Sequence, residues 1–109
     1  MSLLFKDKPF KEDRREQNLT DIGFKLISSI PNPFKETSEL YFFIPGSEDI
    51  KISVRNIFGQ EIMQMKRYYQ DKGEYHLTLD LKGRPDGIYF IILFADQKEV
   101  DKIKIIKTK

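Results

Sequence analysis

The sequence predicts an all-β fold, an antiparallel sandwich of about seven strands, and three observations carry that expectation. Residues Gly87–Phe94 form the longest unbroken apolar run, aromatic or β-branched apart from Gly87 and Leu93. A strand with one wet face alternates apolar and polar residues. This run does not alternate, which predicts a central strand covered on both faces. A buried helix is also apolar all round, but the run is short, β-rich and bounded by turn residues. The flanking segments alternate at period two and none shows a helical period, while Pro, Gly and Asn punctuate them at regular spacing. Together these patterns describe an open, immunoglobulin-like β-sandwich rather than a small barrel.

The first segment differs in character from the rest. Its interleaved charges, Lys6-Asp7-Lys8 and Lys11-Glu12-Asp13-Arg14-Arg15-Glu16, have few apolar anchors, and Leu3-Leu4-Phe5 is too short for a signal peptide. Residues 1–25 are expected to be a linker or a cloned leader. The alternatives are a short docked helix over 12–18 or an added edge strand. The domain itself is expected over residues 26–109.

Lys25–Ile30 is the first strand, halted by Pro31-Asn32-Pro33-Phe34. Two prolines there remove two ladder donors and hold Ile30 and Asn32 extended, so the corner can return Phe34 to the core. Leu40–Ile44 is the second strand, ended by Pro45-Gly46, a pair suited to a type II turn. Ile50, Ile52 and Val54 then alternate with Lys51, Ser53 and Arg55. Asn56-Ile57-Phe58-Gly59-Gln60 reverses the chain, with Gly59 at the left-handed position of a bulged hairpin. Glu61–Met65 runs back, followed by Arg67-Tyr68-Tyr69. Gly73 opens a strand whose core face is Tyr75, Leu77 and Leu79. Lys82–Gly87 loops into the central strand. The last strand begins at Val100 and mixes Ile103, Ile105 and Ile106 with Lys102, Lys104 and Lys107.

Composition narrows the function classes. A chain of 109 residues is one domain able to bury about 60–65% of its unfolded surface. A net charge of +2 on a mixed-sign, 33% charged composition lacks the concentrated basic field of a nucleic-acid binder. No stretch is long enough to span a membrane as a helix. Without cysteine, neither disulfide nor thiol chemistry is available. His76, the only histidine, falls on a wet strand face and reads as solvated, and Asp80, Asp86 and Asp96 lack calcium-loop spacing. With no nucleophile–base pair and no paired carboxylates to place, the expectation is no enzyme, no cofactor, no metal and no small-molecule substrate. Tyr41, Phe43, Tyr68 and Tyr69 keep open a second class, a carbohydrate-binding or adhesive module.

Four blocks in order carry a family resemblance. They are Ile30-Pro31-Asn32-Pro33-Phe34, Asn56-Ile57-Phe58-Gly59-Gln60-Glu61-Ile62, Gly73-Glu74-Tyr75 and Pro85-Asp86-Gly87-Ile88-Tyr89-Phe90, followed by a lysine-rich β segment. In residues and spacing they resemble the type A C-terminal sorting domain of proteins exported by the type IX secretion system of Bacteroidetes-like bacteria. The resemblance covers about Leu26 to Lys107. Each block alone is common in loops and strands; four in order are specific. Arg84 departs from the family, which usually has an apolar residue there, and Lys35-Glu36 replaces its frequent second Asn or Pro.

The resemblance implies an address label. Such a domain waits in the periplasm after general export, engages type IX translocon components, and crosses to the cell surface or medium with its N-terminal passenger. A sortase-like peptidase then usually removes it, here upstream of about Leu26. With neither passenger nor signal peptide, the sequence is expected to be the C-terminal piece of a longer protein, folding alone as a monomer. The candidate recognition residues are Pro31, Asn32, Pro33 and Phe34 of the corner, Gly59, Gly87 and Tyr89 of the later blocks, and Lys102, Lys104 and Lys107 of the last strand. Each also has a simpler role: loop shape for the prolines, backbone geometry for the glycines, core packing for Tyr89, a solvated face for the lysines. The last strand is further expected to offer an unpaired edge beside a cationic stripe.

Overall fold

A computed structural model describes residues 23–109. Most of the expected linker, residues 1–22, lies outside the described residues. Seven strands follow: β1 (Lys25–Ile30), β2 (Thr37–Ile44), β3 (Glu48–Arg55), β4 (Glu61–Tyr69), β5 (Gly73–Asp80), β6 (Gly87–Ala95) and β7 (Lys98–Lys107). All neighbours pair antiparallel, in a three-stranded sheet β1-β2-β5 and a four-stranded sheet β4-β3-β6-β7. This is the two-sheet, antiparallel layout of an immunoglobulin-like sandwich.

Strands lie where alternation and turn residues place them, but several start earlier or run further than expected. β2 starts at Thr37 and β7 at Lys98, and β4 is unbroken from Glu61 to Tyr69. Main-chain ladders extend polar strand ends as readily as apolar ones: Thr37 pairs with Asp80 and Ser38 with Leu79. Phe24 already packs against the core and Lys25 pairs with Phe43, so the packed chain begins slightly before residue 26.

The core lies between the sheets. Leu40, Phe42 and Ile44 of β2 meet Ile50, Ile52 and Val54 of β3 and Tyr89, Ile91 and Leu93 of β6. Tyr69 closes one side against Tyr75 and Phe42, with ring centroids 4.5 and 5.8 Å away.

β6 is central, between β3 and β7, as its apolar run predicts. Its outer face is covered by a different means from the one expected. Ile88, Phe90, Ile92 and Phe94 alternate outward there, and long cationic side chains lie across them instead of a further layer. Lys51 and Arg55 stand 5.2 and 5.8 Å from the Phe94 ring centre, and Lys102 stands 5.9 Å from that of Phe90. Their methylene stems leave Ile92 only 5% exposed while the charges reach water.

Candidate recognition surface

The chain leaves β1 through Pro31, with the Ile30–Pro31 and Asn32–Pro33 bonds both cis. A buried hydroxyl pair holds this exit. Ser38 donates to the Pro31 carbonyl at 2.8 Å, so its own oxygen accepts from Ser29 at 2.6 Å. The corner thereby crosses from the three-stranded sheet to the outer side of β7. There Asn32 Oδ1 accepts from the Ile106 amide at 2.9 Å, and Asn32 Nδ2 donates to the Lys104 carbonyl at 3.3 Å. The Phe34 amide donates to the Ile106 carbonyl at 3.0 Å, and its carbonyl accepts from the Thr108 amide at 2.7 Å. Phe34 and Lys107 form a parallel bridge, and the Phe34 ring is buried.

Further along β7, the Asp101 carboxylate accepts from the Lys102 amide at 2.9 Å and from the Leu26 amide at 2.6 Å. Contacts thus run along the outer side of β7 from Asp101 to Thr108. The expected unpaired edge is a closed one. The residues that close it lie about 75 positions away in sequence, out of reach of any local pattern.

The three candidate lysines divide. Ile103 and Ile105 face the core, and period two carries Lys107 inward after them. Lys107 is 7% exposed, with Nζ 3.6 Å from Asp86 Oδ1. Lys102 and Lys104 are exposed, beside Ile92 and Phe90. The lysines therefore do not form one solvated stripe. Gly87, the register partner of Lys107, has φ +140, a conformation that favours glycine even though open space surrounds it. Tyr89 is core: its ring is buried and its hydroxyl donates to the Pro85 carbonyl. This is the tyrosine-corner arrangement of immunoglobulin-like domains, with a Tyr near the start of the sixth strand bonded a few residues upstream.

Gly59, at φ +84, completes the β3–β4 turn. Gly59 and Gln60 both bond Asn56, which is the bulge expected with Gly59 at its left-handed position, and a second irregularity follows at Ile62, since Arg55 pairs with Glu61 while Val54 pairs with Met63. A cleft of about 390 Å³ separates this turn from the β5–β6 loop, lined among others by Phe58, Gln60, Gly87 and Tyr89. Arg84 Nη2 donates across it to the Ile62 carbonyl at 3.2 Å, tying down the loop that departs from the family pattern. One end of the sandwich therefore gathers the corner, Gly59, Gly87, Tyr89, Lys104 and Lys107. Lys102 stands apart, halfway along β7. Sequence reasoning missed Ser29, Ser38, Asp86 and Thr108 as groups that build this end, and Asp101 as the group that holds β1 to the middle of β7. A signal existed for Ser38, since counting back by twos from Ile44, Phe42 and Leu40 puts it inside.

Elsewhere, His76 is exposed, its Nδ1 paired with the Glu39 carboxylate and its ring 5.5 Å from that of Tyr41. Glu39 also accepts from Thr78 Oγ1 at 2.8 Å. The hydrogen bond from His76 holds the Glu39 carboxyl below its ordinary range; burial opposes it, and the bond from Thr78 and the charge of His76 add smaller lowering effects. The aromatics that kept an adhesive module open do not share a platform. Tyr69 is buried in the core, where burial raises its phenol, while Tyr68 is exposed on the sheet opposite Tyr41 and Phe43. Among the described residues no group of three acidic, His or Cys side chains could hold a metal ion, and no helix is long and apolar enough to cross a membrane.

A family model described as secretion system C-terminal sorting domain matches residues 28–108. No curated protein matches the sequence. Among solved structures, the chain is similar to a β-glucosidase from Listeria innocua in complex with glucose. Identity is 13% and the TM-score 0.51, over 79% of this chain and 16% of the enzyme. A mutant of that enzyme with laminaribiose gives 12% identity, a TM-score of 0.51 and the same coverage. An immunoglobulin-like protein from Pseudomonas aeruginosa is 6% identical with a TM-score of 0.46, over 79% of this chain and 90% of its own. The likeness to the glucosidase is one of fold, and this chain spans about a sixth of that enzyme's length.

Proposed function

The chain belongs to the secretion system C-terminal sorting domain family, and from that premise we propose how this member is read and processed. A domain of this family is the C-terminal sorting signal of type IX secretion, which directs an N-terminal passenger to the cell surface or the medium. The family is one of signals rather than enzymes. In our reading the sorting unit is residues 24–109, where the packed chain lies, and the residues before it are the linker to the passenger. The domain waits folded in the periplasm and is engaged by translocon components. A sortase-like peptidase then cuts in the linker, where cleavage leaves the sandwich intact. Pro31, Asn32, Pro33, Phe34, Gly59, Gly87, Tyr89 and Lys107 act by building one rigid end, while Lys102 and Lys104 offer charge to a partner.

The match over residues 28–108 carries this proposal, and the convergence of the candidate residues on one end of the fold supports it. The test is export of residues 23–109 fused behind a periplasm-directed fluorescent protein. Surface or medium fluorescence is expected in a type IX-competent host, with periplasmic retention in a translocon-deficient one. A folded fusion that stays periplasmic in the competent host would overturn the proposal.

A further inference from the structure

The β3–β4 turn exposes more apolar surface than a turn needs. Phe58 is 80% exposed and Ile57 59%. The turn is nevertheless held fast. The Asn56 amide donates to the Gln60 carbonyl at 3.0 Å and the Gly59 amide to the Asn56 carbonyl at 2.9 Å. Asn56 Oδ1 accepts from the Phe58 and Gln60 amides at 2.9 and 3.0 Å, and Asn56 Nδ2 donates to Gln60 Oε1 at 2.8 Å. The backbone beneath an exposed Phe is thus already ordered, which removes much of the entropy cost of using it in binding.

The patch extends beyond the turn. Ile88 lines the same cleft as Ile57 and Phe58, and Ile106 is the register partner of Ile88. Of the seven large hydrophobic residues exposed among the described residues, these four meet here, in a concentration that marks an interaction surface. The charges around them are unequal. Lys104 is exposed beside Phe90 in register, and Arg84 borders the cleft, whereas Arg55 turns away to lie over Phe94. The acidic neighbours are already engaged: Asp86 with Lys107, and Glu61 with Ser53 and Lys51. The rim is therefore cationic.

We propose that Phe58, Ile57, Ile88 and Ile106 form a docking surface for a protein of the secretion apparatus that presents an apolar hollow rimmed by carboxylates. The inference rests on the sorting-domain reading and adds the surface through which the domain is read. A single aromatic anchor on a rigid turn, with cations to its side, suits a shaped protein pocket better than a fluid lipid surface.

The test uses the fluorescent fusion in the competent host. Changing Ile57→Ser and Phe58→Ser together is expected to cut export by about tenfold or more, as loss of a central anchor does, with the melting temperature unchanged. Lys104→Gln should lower export less and make it less sensitive to salt, since the charge that salt screens is gone. Tyr68→Ser, which removes an exposed aromatic elsewhere, should leave export unchanged. A photoreactive phenylalanine analogue at position 58 should cross-link to a component of the secretion apparatus, with no adduct in the translocon-deficient host. Export of the folded double variant at the unaltered level would overturn this inference while leaving the sorting function intact. So would a cross-link to lipopolysaccharide, to the passenger or to a second copy. Failure of the unaltered fusion to leave the periplasm would instead overturn the sorting reading beneath it.

Discussion

Lys107→Ala is expected to destabilise the domain by about 2–3 kcal/mol, whereas Lys104→Ala, three positions earlier, should cost less than about 0.5 kcal/mol. The difference follows from which way each side chain points. The Lys107 side chain is 8% exposed, running inward past Gly87 to Asp86. Truncation to Ala removes three buried methylenes at about 0.8 kcal/mol each, or about 2.4 kcal/mol together. The ion pair adds little, because the Asp86 side chain is 40% exposed and such pairs contribute under about 1 kcal/mol. Lys107→Met keeps the stem without the charge and should therefore lie within about 1 kcal/mol of the parent. Urea denaturation of the three variants, compared by midpoint at constant slope, measures these differences. Equal midpoints for Lys104→Ala and Lys107→Ala would refute the inward placement of Lys107.

Three further outcomes follow from the same end of the fold and its neighbours. Phe34→Ala empties a fully buried site and should cost about 3–5 kcal/mol, read as a large fall in urea midpoint; a loss under about 1 kcal/mol would put the ring at the surface. Tyr89→Phe deletes only the hydroxyl that donates to the Pro85 carbonyl and should cost about 0.5–1.5 kcal/mol in the same assay. The Glu39 carboxyl is held below its ordinary 4.5, so its contribution is fully present above that value and is lost as pH falls through the lowered one. The melting-temperature gap between the parent and Glu39→Gln should accordingly be open at about pH 6 and closing below about pH 4; a gap independent of pH would contradict the pairing with His76.

How far the fold was legible depends on the range of the interaction concerned. Strand identity follows from alternation and turn chemistry within ten residues, and all seven strands lie where those local signals put them. At Lys107 position overrides residue type: Ile103 and Ile105 set the parity of β7, and period two then turns Lys107 inward. The cover over β6 was legible as a need but not as a solution, since nothing local says that Lys51, Arg55 and Lys102 will lie across Phe94 and Phe90. Closure of β7 was not legible at all. It depends on Asn32 and Phe34 meeting Ile106 across about 74 residues, through a corner whose path is set by Ser38 and Pro31. The candidate residues drawn from the signature blocks nevertheless converge on the end built by that corner, because three of the four blocks supply its walls; Gly73-Glu74-Tyr75 lies at the opposite end, where Gly73 pairs with Ile44.

Amide hydrogen exchange at Ile106 and Thr108 tests most directly whether the corner closes β7, leaving a rigid end rather than an open edge to be read. Both amides are bonded to the corner, Ile106 to Asn32 Oδ1 and Thr108 to the Phe34 carbonyl. They should exchange roughly a hundredfold or more slower than in an unstructured peptide, and Asn32→Ala should release Ile106 selectively. Exchange of both amides at the unstructured rate in the unaltered protein would show an open edge and contradict the account.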